Sequence, residues 1–110
     1  MKATIDTLVI SYGLGDATEV MLSGCSAGGL AAFIHSDFIG DYLRGHSKSL
    51  TKYKTVPGSG FFAIHDNLVG DPEYANRVKY FYEMQESVVG MNQACIEGYE
   101  KHHPEQVWMC

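Results

Sequence analysis

The feature that most limits what this chain can fold into is a change of period around residues 23–29. Upstream, Val20-Met21-Leu22 is a short apolar run bounded by Asp16 and Gly24, which suits a buried strand. Downstream, Leu30, Phe33, Ile34, Phe38 and Tyr42 recur every three or four residues along one face, which predicts a helix from about Ala27 to Leu43. Between them lies Ser23-Gly24-Cys25-Ser26-Ala27-Gly28-Gly29, a strand-to-helix connection containing the pattern G-x-S-x-G. A strand entering and a helix leaving such a turn make an α/β unit.

The pattern has a steric logic. A serine on a sharp, strained turn is pushed out of the sheet edge only if the residues two before and two after it can approach without a Cβ. Gly24 and Gly28 fill those positions, with Gly29 beside them. Ser26 is then the candidate nucleophile. The backbone N–H of Ala27, at the positive end of the helix, is the candidate donor to an oxyanion. Small residues at Ala27 and Gly28 leave room for an acyl group. The competing reading of the same letters is a tight connection with a capping serine and no chemistry.

Elsewhere, Ile5, Leu8, Val9 and Tyr12 predict a short helix over Thr4 to Tyr12, stopped by Gly13-Leu14-Gly15. Arg44 to Lys54 reads as an exposed loop running into a strand at Tyr53 to Val56, which Pro57-Gly58-Ser59-Gly60 then breaks. Asp71-Pro72-Glu73 sets a capping side chain before a proline at the first helical position and opens a helix through Tyr74, Val78, Phe81, Tyr82 and Gln85. Val88, Met91, Cys95 and Tyr99 predict a further helix ending before Pro104. One partial α/β domain over residues 1–110 is expected, with two strands. A sheet that small implies neighbouring strands outside this chain.

Composition bounds the partners. At 110 residues and 45% hydrophobic content the chain can bury a core. Its 8 Lys+Arg against 13 Asp+Glu, a net charge of -5, argue against binding along a nucleic acid. No apolar run reaches the roughly 18 residues of a membrane span, and Met1 to Asp6 lacks the apolar stretch of a secretory signal. Cys25, Cys95 and Cys110 match no zinc spacing and allow at most one bridge and one free thiol. Neither a metal nor a cofactor is called for.

Leu22-Ser23-Gly24-Cys25-Ser26-Ala27-Gly28-Gly29-Leu30-Ala31-Ala32, followed by His35-Ser36-Asp37, resembles the nucleophile segment of the pectin acetylesterase family, which includes the secreted carboxylesterase Notum. Lys52-Tyr53-Lys54 and Ser59-Gly60-Phe61-Phe62 fall where that family has its next strand and its Asp-Ala-Gly-Phe-Phe or Asp-Ser-Gly segment. Cys95, Trp108 and Cys110 resemble its cysteine-bounded segment. The resemblance implies a serine carboxylic-ester hydrolase of the deacetylase type on an α/β-hydrolase-like scaffold. Its substrate would be an acylated, pectin-like polysaccharide or another O-acyl ester, met outside the cell. It also implies a Cys95–Cys110 bridge.

Only Ser26 and the Ala27 donor carry over from the family. Its aspartate and histidine lie further toward the C-terminus than this chain extends, and its Gly-rich oxyanion loop lies further toward the N-terminus. Within the match, Ser36 and Thr55 stand where cysteines are frequent, and Gly58 stands where the family usually has Asp.

An internal triad could be drawn from Ser26, Asp66 and His102 or His103, which occur in the right order, but no strand holds those histidines in place. His35 lies about 13 Å along the helix from Ser26, too far to be its base. His65-Asp66 reads as a loop pair. Arg44, Lys48, Lys52 and Lys54 read as a solvated loop rather than a polyanion site. Tyr74, Phe81 and Tyr82 read as a core face rather than a sugar platform, and Cys25 as a small buried residue. Two classes of function follow: an esterase or part of one, and a catalytically silent domain that keeps the elbow as scaffold.

Overall fold

In the computed structural model, which describes residues 1–110, β1 (Glu19–Cys25) and β2 (Lys52–Gly58) pair in parallel. The register runs from Glu19 opposite Lys52 to Cys25 opposite Gly58. Parallel neighbours need a crossover, and α2 (Ala27–His46) supplies it. The preceding helix, α1 (Lys2–Ser11), ends before Gly13, whose φ of 77° turns the chain left-handed. Ile5 of α1 packs with Ile39 and Leu43 of α2, and Val20, Leu22 and Tyr53 of the sheet lie against that cluster. Both helices thus cover one face of the sheet. Glu19, Met21, Ser23, Cys25, Lys52, Lys54 and Val56 alternate onto the other face and are exposed.

Two devices bring α2 onto β2. Gly40 has no side chain, and a Cβ there would lie 2.8 Å from the Tyr53 ring. Ser36 and Thr55 hydroxyls meet at 2.6 Å, while the Tyr53 hydroxyl donates to the Ser36 carbonyl at 3.0 Å. Helix and strand are therefore joined there through side-chain hydroxyls.

By contacts the chain forms two compact units, Met1–Gly60 and Phe61–Cys110. The second holds α3 (Glu73–Gln85), a 3-10 turn at Ser87–Gly90, α4 (Gln93–His102) and a 3-10 turn at Pro104–Met109. Met91, Ile96 and Val107 are its buried apolar side chains, and a Cys95–Cys110 disulfide ties α4 to the last residue. The fold is α/β, with the only sheet in the first unit.

Several boundaries differ from the expectations. α2 continues through Arg44 to His46, because basic residues in a last turn complement the helix dipole. β2 starts at Lys52, whose N–H joins that of Thr51 on the Thr18 carbonyl, and runs through Pro57 to Gly58. Within these residues β2 pairs on one side only, with β1, so the missing donor of Pro57 does not interrupt the strand. Asp71 does not cap α3. Its N–H is held by the Asn67 side chain at 2.9 Å, and α3 begins after Pro72 without a side-chain cap. The pattern Val88 to Tyr99 is two elements, split at Asn92, whose side chain accepts the Cys95 N–H at 2.7 Å and starts α4 afresh. Nor is the α3 stripe a core face. Phe81 is exposed, Tyr74 and Tyr82 are half-buried, and α3 has no buried residue.

Candidate active site

Ser26 sits between the last residue of β1 and the first of α2 with φ 55° and ψ -116°. That is a left-handed conformation rarely adopted by a non-glycine residue, and it costs on the order of 1–3 kcal/mol unless the surroundings enforce it. The enforcement is visible. A Cβ on Gly24 would lie 2.1 Å from the Gly28 carbonyl oxygen, so the chain can double back there only through glycine. The Ser26 N–H donates to the Gly58 carbonyl at 3.0 Å, and its carbonyl accepts the Leu30 N–H at 3.1 Å, closing the first turn of α2. Both strands end here in register, so Ser26 lies at the carboxyl edge of the sheet, where α/β folds bind ligands.

The glycines divide their work differently from the sequence expectation. A Cβ at Gly28 meets nothing within 4 Å, so only Gly24 of that pair is sterically compelled. Gly29 is the second compelled position: it is buried, and a Cβ there would lie 2.6 Å from the Gly58 carbonyl oxygen. Gly58 is also close-fitting, since a Cβ on it would come within 3.2 Å of the Gly24 oxygen.

The serine does not act as a cap. Its side chain makes no hydrogen bond to the amides of α2, and its φ lies outside the extended range of ordinary N-caps. Ser26 is exposed. Ala27, also exposed, opens α2, and its N–H is one of the first-turn amides that find no partner within a helix.

The other candidates are placed as follows. His35 lies in mid-helix with its Nδ1 buried and unpartnered, and His46 ends α2 with its Nδ1 on the Tyr42 carbonyl at 2.7 Å. Neither of these first-unit histidines bonds Ser26. Asp66, His65, His102 and His103 belong to the second unit. There His65 Nδ1 meets the Asp66 backbone carbonyl at 2.7 Å, not its carboxylate, and His103 faces Glu105 at 3.7 Å. Arg44 pairs with Asp41 at 2.8 Å and Lys52 with Glu19 at 2.9 Å, so half of the basic cluster is neutralised locally. Cys25 is not buried: it is an exposed free thiol, because its alternation puts it on the uncovered sheet face. Its Sγ contacts the Ser59 hydroxyl at 3.6 Å. No group of three or more His, Cys, Asp or Glu is arranged to hold a metal ion.

At the far end of α2, Tyr42 donates a hydrogen bond to the Asp6 carboxylate and stacks on His46 at 4.1 Å. That hydrogen bond, with burial and the carboxylate charge adding to it, raises the Tyr42 phenol above its ordinary value of 10.0.

Sequence reasoning missed Ser59, whose φ of 48° makes it a second left-handed serine at the exit of the adjacent strand. The signal available was its setting between Gly58 and Gly60, a turn composition that tolerates such backbone.

A parallel strand pair whose crossover helix begins at a strained, uncapped and exposed serine defines an α/β protein with a sharp strand-to-helix turn of the G-x-S-x-G pattern. The sequence profile of the family described as Pectinacetylesterase matches residues 1–110, and the chain belongs to that family. Among curated proteins it is 34% identical over 95 residues to pectin acetylesterase 5 of Arabidopsis thaliana, covering 86% of this chain and 21% of that protein. It is 30% identical over 95 residues to pectin acetylesterase 4 of the same plant, covering 86% and 22% respectively. The chain therefore spans about a fifth of the length of these relatives. No solved structure matches it. No helix is long and apolar enough to cross a membrane.

Proposed function

We propose that Ser26 is the nucleophile of a serine carboxylic-ester hydrolase that removes acetyl groups from a pectin-like polysaccharide outside the cell. Residues 1–110 are then the nucleophile-bearing part of its α/β-hydrolase-like domain. The observation that carries this reading is the Ser26 backbone, strained to φ 55° and free of any capping role. Strain without a structural use is the mark of a site. The names of the relatives, pectin acetylesterases 4 and 5, support acetylated pectin as the substrate class.

In the reaction, the Ser26 hydroxyl attacks the acetyl carbonyl carbon while its proton passes to a histidine. The carbonyl oxygen becomes an oxyanion facing the Ala27 N–H. The sugar alcohol leaves with the proton held by the histidine, and water then releases acetate from the acyl-serine by the same steps. Neither His35 nor His46 bonds Ser26, and this reading takes the base and the acid orienting it from the remaining length of the relatives. The 110-residue chain alone is then expected not to turn over acetyl esters.

The test assays three proteins on p-nitrophenyl acetate and on acetylated pectin: this chain, the polypeptide extended to the length of its relatives, and the extended Ser26→Ala variant. Turnover by the extended protein alone, reduced by several orders of magnitude in the variant, is the expected result. Turnover indifferent to Ser26→Ala would leave the elbow a silent scaffold.

A further inference from the structure

Two left-handed serines, Ser26 at φ 55° and Ser59 at φ 48°, stand at the carboxyl ends of adjacent strands that finish in register at Cys25 and Gly58. Such conformations are uncommon for non-glycine residues, and here they lie side by side. The contacts between them all run from the end of β2 to the elbow. The Gly58 carbonyl accepts the Ser26 N–H at 3.0 Å. The same oxygen would be 2.6 Å from a Cβ on Gly29, so α2 is drawn against it as closely as glycine permits. The Cys25 thiol reaches the Ser59 hydroxyl at 3.6 Å. Beyond Ser59, a Cβ on Gly60 would lie 2.8 Å from the Pro57 carbonyl oxygen and 3.2 Å from the Phe33 ring, which folds the exit turn back onto α2.

We infer that Ser59 is a positioning residue: its left-handed turn ends β2 so that the Gly58 carbonyl points at the Ser26 N–H and fixes the strained conformation of the nucleophile. Nothing else bonds that N–H, and without it Ser26 can relax toward the extended conformation of an ordinary N-cap. The turn, not the hydroxyl, is the operative feature. Residues that accept a left-handed backbone therefore keep the clamp, and β-branched residues, for which positive φ is an outlier, release it.

The test has two arms, and its kinetic arm rests on the esterase reading. In the 110-residue chain, the Ser26 amide is protected from hydrogen exchange in the wild type and in Ser59→Gly. In Ser59→Val that protection falls toward the exposed-amide rate while the amides of Val20 to Ser23 stay protected. In the extended protein, Ser59→Gly keeps kcat and KM within about twofold, whereas Ser59→Val loses roughly tenfold to a hundredfold in kcat with KM unchanged, the scale set by a misplaced reacting group. Should Ser59→Val not fold, Ser59→Ala, the smallest side chain that disfavours the turn, is read in its place. Protection of the Ser26 amide retained in Ser59→Val overturns the inference, as does an equal loss in Ser59→Gly. If Ser26→Ala leaves turnover intact, the esterase reading fails and the exchange arm still decides the clamp.

Discussion

The two units of this chain hold themselves together by different means. Residues 1–60 have a sheet, and α1 and α2 bury Ile5, Ile39 and Leu43 against one face of it without a covalent link. Residues 61–110 have only short helices and three buried apolar side chains, Met91, Ile96 and Val107, together with a disulfide that closes a separation of 15 residues. Where a sheet offers a packing surface, burial supplies the stability, and the surplus holds a strained serine in place. Where it does not, restriction of the unfolded chain takes over. The left-handed residues follow the same division. Ser26 and Ser59 flank the elbow in the first unit, whereas Glu86 in the second only ends α3.

The largest effect should come from Gly24→Ala. A Cβ 2.1 Å from backbone has nothing flexible to displace, so a loss of about 4 kcal/mol or more is expected, at the severe end for single substitutions. Exchange protection across β1 and β2 should collapse while the Cys95–Cys110 bridge, located by mass mapping, still forms. If β1 and β2 keep their protection, the steric account of the elbow is wrong. Next is Cys110→Ser. Opening a loop of this length costs about 3 kcal/mol in the chain-entropy description. Trp108, the single tryptophan, lies in the second unit and reports the loss by fluorescence. An unchanged transition would show that the second unit does not depend on its bridge.

The course of β1, the elbow and α2 was legible because period and glycine placement are local properties that act on the same residues in sequence and in space. Ser26 and Gly24 were found for that reason. What was not legible arises between distant segments. Gly29 is compelled by the carbonyl of Gly58, a strand away. Ser59 has an unusual backbone because β2 must end beside β1. Asp71 bonds the Asn67 side chain through its amide, α3 starts after Pro72 without a side-chain cap, and the α3 stripe of Tyr74, Phe81 and Tyr82 carried a core-like period without a surface of the second unit to bury it. Cys25 was misjudged because strand alternation, not side-chain polarity, decides which face a residue occupies.

Smaller effects sharpen the comparison within the first unit. Ser36→Ala removes one partner of the 2.6 Å hydroxyl pair and should cost about 1 kcal/mol, measured by denaturant unfolding. The double variant Ser36→Cys/Thr55→Cys should recover that loss under oxidising conditions, and no gain over Ser36→Ala would mean that the two positions are not held together. The smallest effect is alkaline. Because Tyr42 is raised above its unfolded value of 10.0, folding favours the protonated phenol. Its contribution is present below that pH and is lost as pH rises through the folded value. The wild type should therefore soften above pH 10 more than Tyr42→Phe does, and parallel behaviour of the two would remove the Asp6 bond from the account.

The most direct test of the central claim is covalent. A fluorophosphonate reacts with a serine only when a neighbouring base activates it. The polypeptide extended to the length of its relatives and this 110-residue chain are treated alike, and the adduct is mapped by peptide mass spectrometry. The account predicts a stoichiometric phosphonate on Ser26 of the extended protein, blocked by Ser26→Ala, and none on the shorter chain. An extended protein that hydrolyses acetyl esters while its adduct forms on any other residue would contradict it.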